Sequence, residues 1–446
     1  MVTPDKDSRP ATPPTRARLI LVAWLCGLAA ILYLDRICMG QAVVPIQHEL
    51  GLSNSQMSLA LMSFTLAYGL FAVPAGRWGD RIGPRSVLTQ IVLTWSVFTG
   101  LTGAASGLLT LLLVRFCFGA AEAGAFPNAA KVMARWFPVG EQGRVQGVML
   151  GSSQLGAVLA PAATAYLIDT VGWRWAFLIY GSVGVIWAMG FWLWFRDDPA
   201  THPRVNSAEL ALIQAGARSD PVASAQGPVP WGVVFVNRGV VVLSLIMVFG
   251  AFYTYFFYSW FQKYLNATRG IENVEAGNLT SLVMAGSATG MLVGGWLADW
   301  LTRTDDPIRA RRYLGVLCYL SAAASLFWGV RQQDAQILAW LWGISFCAMH
   351  ITLPNWWSVA IPQAGRHTAT IFGLMNGLGV LGAMASQGFV GIFADWQAAR
   401  GLCGRQQWDP IFDVYAVVLL VNALAWWLYR FTPLPESHQS APEITT

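Results

Sequence analysis

The sequence predicts an all-α membrane protein whose twelve transmembrane helices form two pseudo-symmetric six-helix bundles. The first observation is composition: 55% of the 446 residues are hydrophobic, only 11% are charged, and the mean hydropathy is +0.49. Soluble domains carry about 25% charged residues, so a chain of this length could not cover itself with a solvated surface. The second observation is the length of the apolar segments, and the third is a repeat that relates the two halves.

The apolar segments number about twelve, and each is close to the length of about 20 residues that spans a bilayer. Because lipid offers no hydrogen-bond partners to the backbone, each segment is predicted to be a helix. The predicted spans are 18–43, 54–75, 86–107, 109–134, 145–168, 173–195, 238–265, 275–300, 312–330, 335–360, 368–394 and 409–431.

The polar segments define the predicted domains. They are a disordered cytoplasmic tail at 1–17, an N-terminal bundle at 18–195, a cytoplasmic linker at 196–237, a C-terminal bundle at 238–431 and a second cytoplasmic tail at 432–446. Arginines are concentrated in the first tail and in the loops after the second, fourth and eighth helices, whereas the alternate loops have few. The positive-inside rule therefore predicts that both termini are cytoplasmic.

The repeat is a short motif at the end of the second helix of each half. GRWGD, at 76–80, recurs as GWLAD at 295–299, about half the chain further on. Two six-helix halves around a site at the membrane midplane are the architecture of secondary transporters. The repeat therefore indicates a transport function.

Other classes of function lack the residues they need. The six cysteines have no metal-ligand spacing, and no nucleophile–base pair, HExxH motif or phosphate-binding loop occurs. The net charge of +5 is spread over the loops and forms no nucleic-acid patch. We therefore predict no enzyme, no catalytic residue, no metal ligand, no cofactor and no nucleic-acid partner.

Four ionisable residues lie inside otherwise apolar segments. Asp35 and Arg36 are neighbours in the first helix, while Arg115 and Glu122 lie two turns apart on one face of the fourth. A charge in the bilayer costs about 3 kcal/mol on insertion scales, so each needs a partner or a ligand. One interpretation is a structural ion-pair network. The other is a site where a carboxylate titrates and a guanidinium binds an anion through two hydrogen bonds.

Three motifs carry a resemblance to a known family. GRWGDRIGPR, at 76–85, resembles the loop motif of the major facilitator superfamily. YLDR in the first helix and RFCFGAAEAGAFPNAAKVMARWFP, at 115–138, resemble the anion:cation symporters within it, which include galactonate, glucarate and hexuronate transporters and are related to sialic acid carriers. The resemblance implies that Asp35 and Glu122 are proton-coupling sites. It also implies that Arg36 is the principal clamp for the substrate carboxylate, and that Arg115 is a second substrate-binding residue that couples this event to the carboxylates.

Further polar residues are predicted to complete the substrate site, because a few placed polar groups give an apolar pocket its specificity. They match the family patterns of five helices: Tyr33, Tyr68, Gln154, Trp356 and Asn376. Interhelical hydrogen bonding of the two amides and packing of the three aromatic residues are the alternatives. A cytoplasmic gate that locks the outward-open state is predicted at the repeated motif: Asp80, Arg81, Arg85 and Asp299.

Three positions depart from the family pattern. Cys38 stands where D-R-x-N has its Asn, Val380 where a second Asn follows the first in helix 11, and Gly124 where helix 4 has its first proline. The first two changes remove hydrogen-bonding groups near the expected site. A smaller or more apolar carboxylate, an aromatic one included, is therefore a candidate beside a sugar acid.

Together these observations predict a proton-coupled symporter that imports an organic carboxylate anion across the inner membrane by alternating access. Its expected partners are that anion and the lipid bilayer, and a monomer is expected. A uniporter or anion exchanger of the same fold, with structural carboxylates, is the main alternative. A transporter-shaped sensor is a weaker one, and the residues are also compatible with sodium in place of the proton.

Overall fold

The computed structural model describes residues 13–215, 231–432 and 434, apart from the side chains of residues 79, 80, 215, 366 and 369. The described chain is almost entirely helical. The helices of the N-terminal half are α1 (Ala17–Leu50), α2 (Asn54–Ile82), α3 (Pro84–Thr102), α4 (Leu108–Glu122), α5 (Ala125–Trp136), α6 (Val139–Val171) and α7 (Trp173–Trp194). Two short helices, α8 (Ser207–Ala215) and α9 (Trp231–Val234), belong to the central segment.

The C-terminal half repeats this organisation. Its helices are α10 (Arg238–Ser259), α11 (Phe261–Arg269), α12 (Asn273–Leu301), α13 (Pro307–Val330), α14 (Ala335–Ala364), α15 (Thr368–Ala399), α16 (Gly404–Trp408) and α17 (Ile411–Leu428). Two single 3-10 turns lie at Pro199–Thr201 and Gly365–His367.

Eleven helical stretches of the described residues are long and apolar enough to cross a membrane. The remaining predicted span corresponds to α3, whose 19 residues include Arg85, Gln90 and several Thr and Ser and are therefore less hydrophobic. Two helices extend well past their predicted ends: α1 continues through Pro45 to Leu50 instead of ending at 43, and α2 continues to Ile82 instead of ending at 75. The all-helical fold predicted from hydropathy is confirmed.

Polar residues at the turns set where several helices begin. At α2, the Ser53 hydroxyl accepts a hydrogen bond from the Gln56 backbone, and the Gln56 side chain accepts one from the Ser53 N–H. The carboxylates of Asp306 and Asp334 accept from the first turns of α13 and α14. These caps satisfy N–H groups that helices leave without intrahelical partners.

The helix pairs that pack together are the same in the two halves. In the first half α1 packs on α6, α2 on α4 and α3 on α7; in the second, α10 packs on α15, α12 on α14 and α13 on α17. The halves meet along α6 and α12 and along α2 and α15. The motif repeat in the sequence therefore corresponds to a structural repeat.

Small residues allow the closest of these packings. A Cβ at Gly156 in α6 would lie 2.9 Å from the Cα of Ala30 in α1, and one at Gly382 in α15 would lie 2.8 Å from the carbonyl carbon of Val248 in α10. The two glycines lie at equivalent helix pairs: α1 and α6 in the first half, and α10 and α15 in the second. Membrane helices commonly use small residues in this way, because backbones can then approach closely.

The two faces of the molecule differ in how tightly the halves close. We call the face with residue 17 and residue 434 the terminal face, and the opposite one, with the α1–α2 turn, the distal face. In the described ranges, polar contacts between the halves run from the distal end, at Asn54 and Asp395, to the midpoint, at Gln154 and Ser287. On the terminal side, the inter-half faces of α6 and α15 border open space at Gly151 and Gly377. The structure is therefore closed distally and open at the terminal face.

The first part of the central segment packs against the N-terminal half. Glu209 of α8 is fully buried, and its carboxylate accepts hydrogen bonds from the backbone N–H groups of Ala17 (3.2 Å) and Arg18 (3.1 Å). It therefore caps the N-terminus of α1. Nearby, the His202 ring packs against Trp136 and Trp194, and this burial lowers the pKa of His202.

Loss of this cap is expected to destabilise the protein. Glu209→Ala should cost about 1–2 kcal/mol, the usual effect of removing a helix cap, and lower the melting temperature in detergent. Glu272→Ala is the matched control, because Glu272 is exposed at the start of α12 and its side chain makes no cap hydrogen bond. Equal melting temperatures for the two variants would show that Glu209 does not stabilise α1.

Candidate functional site

The four buried ionisable residues singled out in the sequence lie together on α1 and α4. Asp35, Arg115 and Glu122 are at most 2% exposed, and the Arg36 side chain is 10% exposed. Arg36 donates from Nε to Oε1 of Glu122 over 3.0 Å, and its Nη2 donates to the same oxygen. An ion pair therefore joins α1 to α4 in the middle of the N-terminal half.

Asp35 turns away from this pair, towards α3. Trp95 and Thr99 are its neighbours there, and Arg115 and Glu122 lie close enough to act on it electrostatically. Neither carboxylate oxygen of Asp35 has a hydrogen-bond partner among the described residues. An ionised carboxylate in this position is costly, because its lost hydration is not replaced.

Arg115 is buried against aromatic rings. Its guanidinium carbon lies 5.0 Å from the ring centroid of Phe64 and 4.5 Å from that of Phe118. In the part of the chain that the structure describes, Nε of Arg115 has no hydrogen-bond partner. Arg115 and Glu122 are seven positions apart on α4, about 10 Å along the axis of a straight helix, which is too far for a direct salt bridge between them.

Aromatic rings also surround Arg36. Its guanidinium carbon lies 4.7 Å from the ring centroid of Tyr68 and 5.5 Å from those of Tyr33 and Phe64. Cation–π contacts of this kind contribute about 0.5–2 kcal/mol each. Two of the residues predicted to bind substrate, Tyr33 and Tyr68, thus lie against the predicted clamp.

The C-terminal half contributes the opposite wall. A cavity of about 10 Å³, room for about one water, lies between Arg36 and Arg115 on one side and Tyr255, Tyr258 and Gln387 on the other. The rings of Tyr255 and Tyr258 are 5.7 Å apart. The carbonyl of Tyr258 packs on Gly40 of α1 and closes the cavity on its distal side.

Sequence reasoning missed Gln387. Its Oε1 accepts from Thr65 of the other half (2.9 Å), its Nε2 donates to Ser259 (3.1 Å), and its backbone carbonyl accepts from Ser58 (2.8 Å). The signal was available, because Gln387 is a polar side chain in the small-residue stretch AMASQGFVG. The same signal had singled out Gln154.

The other predicted substrate residues lie in different surroundings. Gln154 accepts a hydrogen bond from Ser287 of α12 (3.1 Å) and so bridges the halves. Asn376 is exposed one turn from Val380, which contacts Gly69 of the other half, so it faces the space between the halves. Trp356 is buried, and its indole donates to the Leu243 carbonyl (3.0 Å) within the C-terminal half. The structure does not bring Trp356 to the Arg36 cavity.

The predicted gate residues are spread along the terminal face. Arg85 donates to the Trp192 carbonyl (3.1 Å from Nε), and its backbone N–H donates to Asp197 at the start of the central segment (2.8 Å), so neither contact reaches the C-terminal half. Arg81 is exposed. Asp299 is exposed and near Arg311. The side chain of Asp80 lies outside the described residues. Among the described residues, Asp197 is the acid that accepts a hydrogen bond from the first turn of α3.

No group of three or more His, Cys, Asp or Glu residues that could hold a metal ion occurs in the described chain. The polar groups of the candidate site are two carboxyl groups, two guanidinium groups and the aromatic and amide side chains around them. Charged side chains between the two halves of a membrane-spanning bundle are typical of secondary transporters.

Comparison with known proteins agrees with this class. Residues 25–387 match the model of the Major Facilitator Superfamily, so the chain belongs to that family and is a multi-pass membrane transporter and not an enzyme. The resemblance drawn from the motifs is thereby confirmed.

Two relatives cover most of the chain. A probable sulfoacetate transporter, SauU, of Cupriavidus necator is 30% identical over 83% of this chain and 86% of its own length. A probable L-galactonate transporter of Escherichia coli is 31% identical over 84% of this chain and 83% of its own. A solved bacterial homologue of the human lysosomal transporter Spinster, in an inward-facing and occupied conformation, superposes with a TM-score of 0.75 at 21% identity, covering 93% of this chain and 97% of that one.

Proposed function

We propose that the protein is a proton-coupled symporter that carries small organic anions into the cell across the inner membrane. The observation that carries the proposal is the Arg36–Glu122 ion pair beside the unpaired carboxylate of Asp35. A guanidinium suited to anion binding is held by one carboxylate, while a second carboxylate lies within electrostatic reach of the first. We further propose that the transporter functions as a monomer.

Competition for Arg36 links the proton to the anion. The guanidinium edge formed by Nε and Nη2 can bind a carboxylate through two parallel hydrogen bonds, and Oε1 of Glu122 occupies that edge. A proton on Glu122 removes the negative charge that holds Arg36, so this edge becomes available to a substrate anion. A proton on Asp35 removes the cost of its unpaired charge.

A transport cycle follows from this competition. In the outward-open state Asp35 and Glu122 take up protons, and Arg36 binds the anion. The neutralised centre then allows the halves to rock until the terminal face opens. The basic loops on that face support its being cytoplasmic. After anion and protons leave, the Arg36–Glu122 pair forms again, with Arg115 held beside it on α4.

The surroundings of Arg36 favour a short anion with few hydroxyl groups. Four tyrosines and Phe64 line its neighbourhood, and Cys38 and Val380 replace amides of the family pattern. Among the relatives, one is named for sulfoacetate and another for L-galactonate. Sulfoacetate, which is short and lacks hydroxyl groups, is the first compound to test, and L-galactonate is the contrasting one.

Proteoliposomes that contain a pH-sensitive dye test the proposal directly. With no initial pH gradient and no sodium, an inward gradient of sulfoacetate is expected to acidify the lumen, because the anion enters with protons. Vesicles with Arg36→Ala should give no signal. A uniporter would move the anion without acidification, and an exchanger would need anion inside. Either result would contradict proton symport and favour structural carboxylates.

A further inference from the structure

Lys263, on α11 at the distal face, joins the two halves through hydrogen bonds to neutral amide side chains. Its ammonium donates to Oε1 of Gln47 and to Oδ1 of Asn54, both of which belong to the N-terminal half. The rings of Trp260 and Trp408 lie 6.0 and 5.9 Å from its nitrogen. In the closed distal face, the half-buried cation is therefore held by neutral amide oxygens and aromatic rings.

Asp395, the acid that acts on Lys263 electrostatically, makes its hydrogen bonds to other groups. Asp395 of α15 accepts from the backbone of Asn54 (3.2 Å) and Ser55 (2.7 Å) and from the Asn54 side chain (2.8 Å), so it caps α2 of the other half. It acts on Lys263 electrostatically, but no salt bridge between the two is present in the described ranges. The groups that Lys263 contacts in the described part of the chain are therefore neutral in this state.

Opening of the distal face would change this arrangement. Gln47 and Asn54 move with the N-terminal half, whereas Lys263 moves with the C-terminal half. Separation of the halves thus leaves an ammonium without its acceptors on the wall of the opening. Lys263 follows Ser259, which lines the Arg36 cavity, by four residues and lies on α11, the helix that continues from α10 towards the distal face.

We propose that Lys263 is an outer anion site that exchanges partners during transport. In the outward-open state its ammonium binds the carboxylate or sulfonate of the arriving substrate. The distal face closes only when the anion has passed to Arg36, because Gln47 and Asn54 then bind the same ammonium. This inference rests on the proposed function, since it assumes that an organic anion arrives from the distal face.

Uptake kinetics from the two faces test this site. Intact cells report access from the distal face, and everted vesicles report access from the terminal face, with radiolabelled sulfoacetate as the probe. Lys263→Gln keeps a hydrogen-bonding group for the closed state but removes the charge. It is expected to raise KM in cells by up to about tenfold, the equivalent of about 1.4 kcal/mol, and to leave KM in everted vesicles unchanged.

Two further variants make the result specific. Lys263→Arg should keep the wild-type KM, because the charge remains. Arg400→Gln, which removes an exposed distal cation that makes no inter-half contact, should also leave KM unchanged. An equal rise of KM at both faces, or a change of Vmax alone, would overturn the anion site and leave Lys263 as a structural lock. A wild-type protein that moves no organic anion would overturn the proposed function itself.

Discussion

Arg36→Lys is expected to reduce anion uptake by about 30-fold or more, the equivalent of about 2 kcal/mol. Lysine keeps the positive charge, so the ion pair with Glu122 can persist and the fold is preserved. It lacks the planar edge that binds a carboxylate through two parallel hydrogen bonds. It also cannot lie flat against Tyr33, Phe64 and Tyr68 as the guanidinium does. Initial rates of sulfoacetate uptake into proteoliposomes measure the effect.

Arg400→Lys is the matched control for this substitution. Arg400 is an exposed arginine of the distal face. Its guanidinium carbon lies 4.6 Å from the Trp396 ring centroid, so Arg400 also combines a positive charge with an aromatic contact. Its uptake should equal that of the wild type. Melting temperatures of both variants separate a binding defect from unfolding. Arg36→Lys protein with wild-type uptake would mean that Arg36 is not the anion clamp.

The helices could be predicted because their cause is local. The bilayer requires long apolar segments with internally satisfied backbones, and hydropathy records this requirement residue by residue. α3 was found although it is more polar, because its polar residues are mostly Thr and Ser. The break between α4 and α5, at Ala123 and Gly124, was not predicted. The sequence signal for this break is Gly124, which stands where the family pattern has a proline.

The site was predictable in part, for a similar reason. A charge in an apolar segment is conspicuous, so Asp35, Arg36, Arg115 and Glu122 could be found without a structure. Which of them pair depends on how α1 rotates against α4, and the sequence does not specify that rotation. The roles of Gln387 and Lys263 in joining the halves could not be predicted, because the side chains that they contact across the interface are far away in the sequence. Such contacts depend on the conformational state as well as on the fold.

Glu122→Gln is expected to separate anion binding from proton coupling. Deprotonated Glu122 competes with the substrate for Arg36, so wild-type affinity for the anion should fall as pH rises. Glutamine resembles the protonated carboxyl group and cannot ionise. The variant should therefore bind sulfoacetate about tenfold more tightly than the wild type at high pH, with an affinity that no longer depends on pH through this residue. Equilibrium binding of sulfoacetate to the purified proteins between pH 5.5 and 8.5 would measure both affinities. The tenfold difference corresponds to about 1.4 kcal/mol of binding free energy, which the wild type loses to competition by Glu122.

Asp35→Asn is the informative comparison, because Asp35 makes no hydrogen bond to Arg36. Its substitution should leave the pH dependence of binding in place, since Glu122 still competes, but should lower the lumen acidification per anion taken up, because one of the two proposed proton sites is gone. Both variants should retain anion exchange, which needs no net proton movement. If Glu122→Gln weakened binding at every pH, the ion pair would be scaffolding for Arg36 and not its competitor. If both variants accumulated anion in response to an imposed pH difference as strongly as the wild type, the two carboxylates would not be the coupling sites.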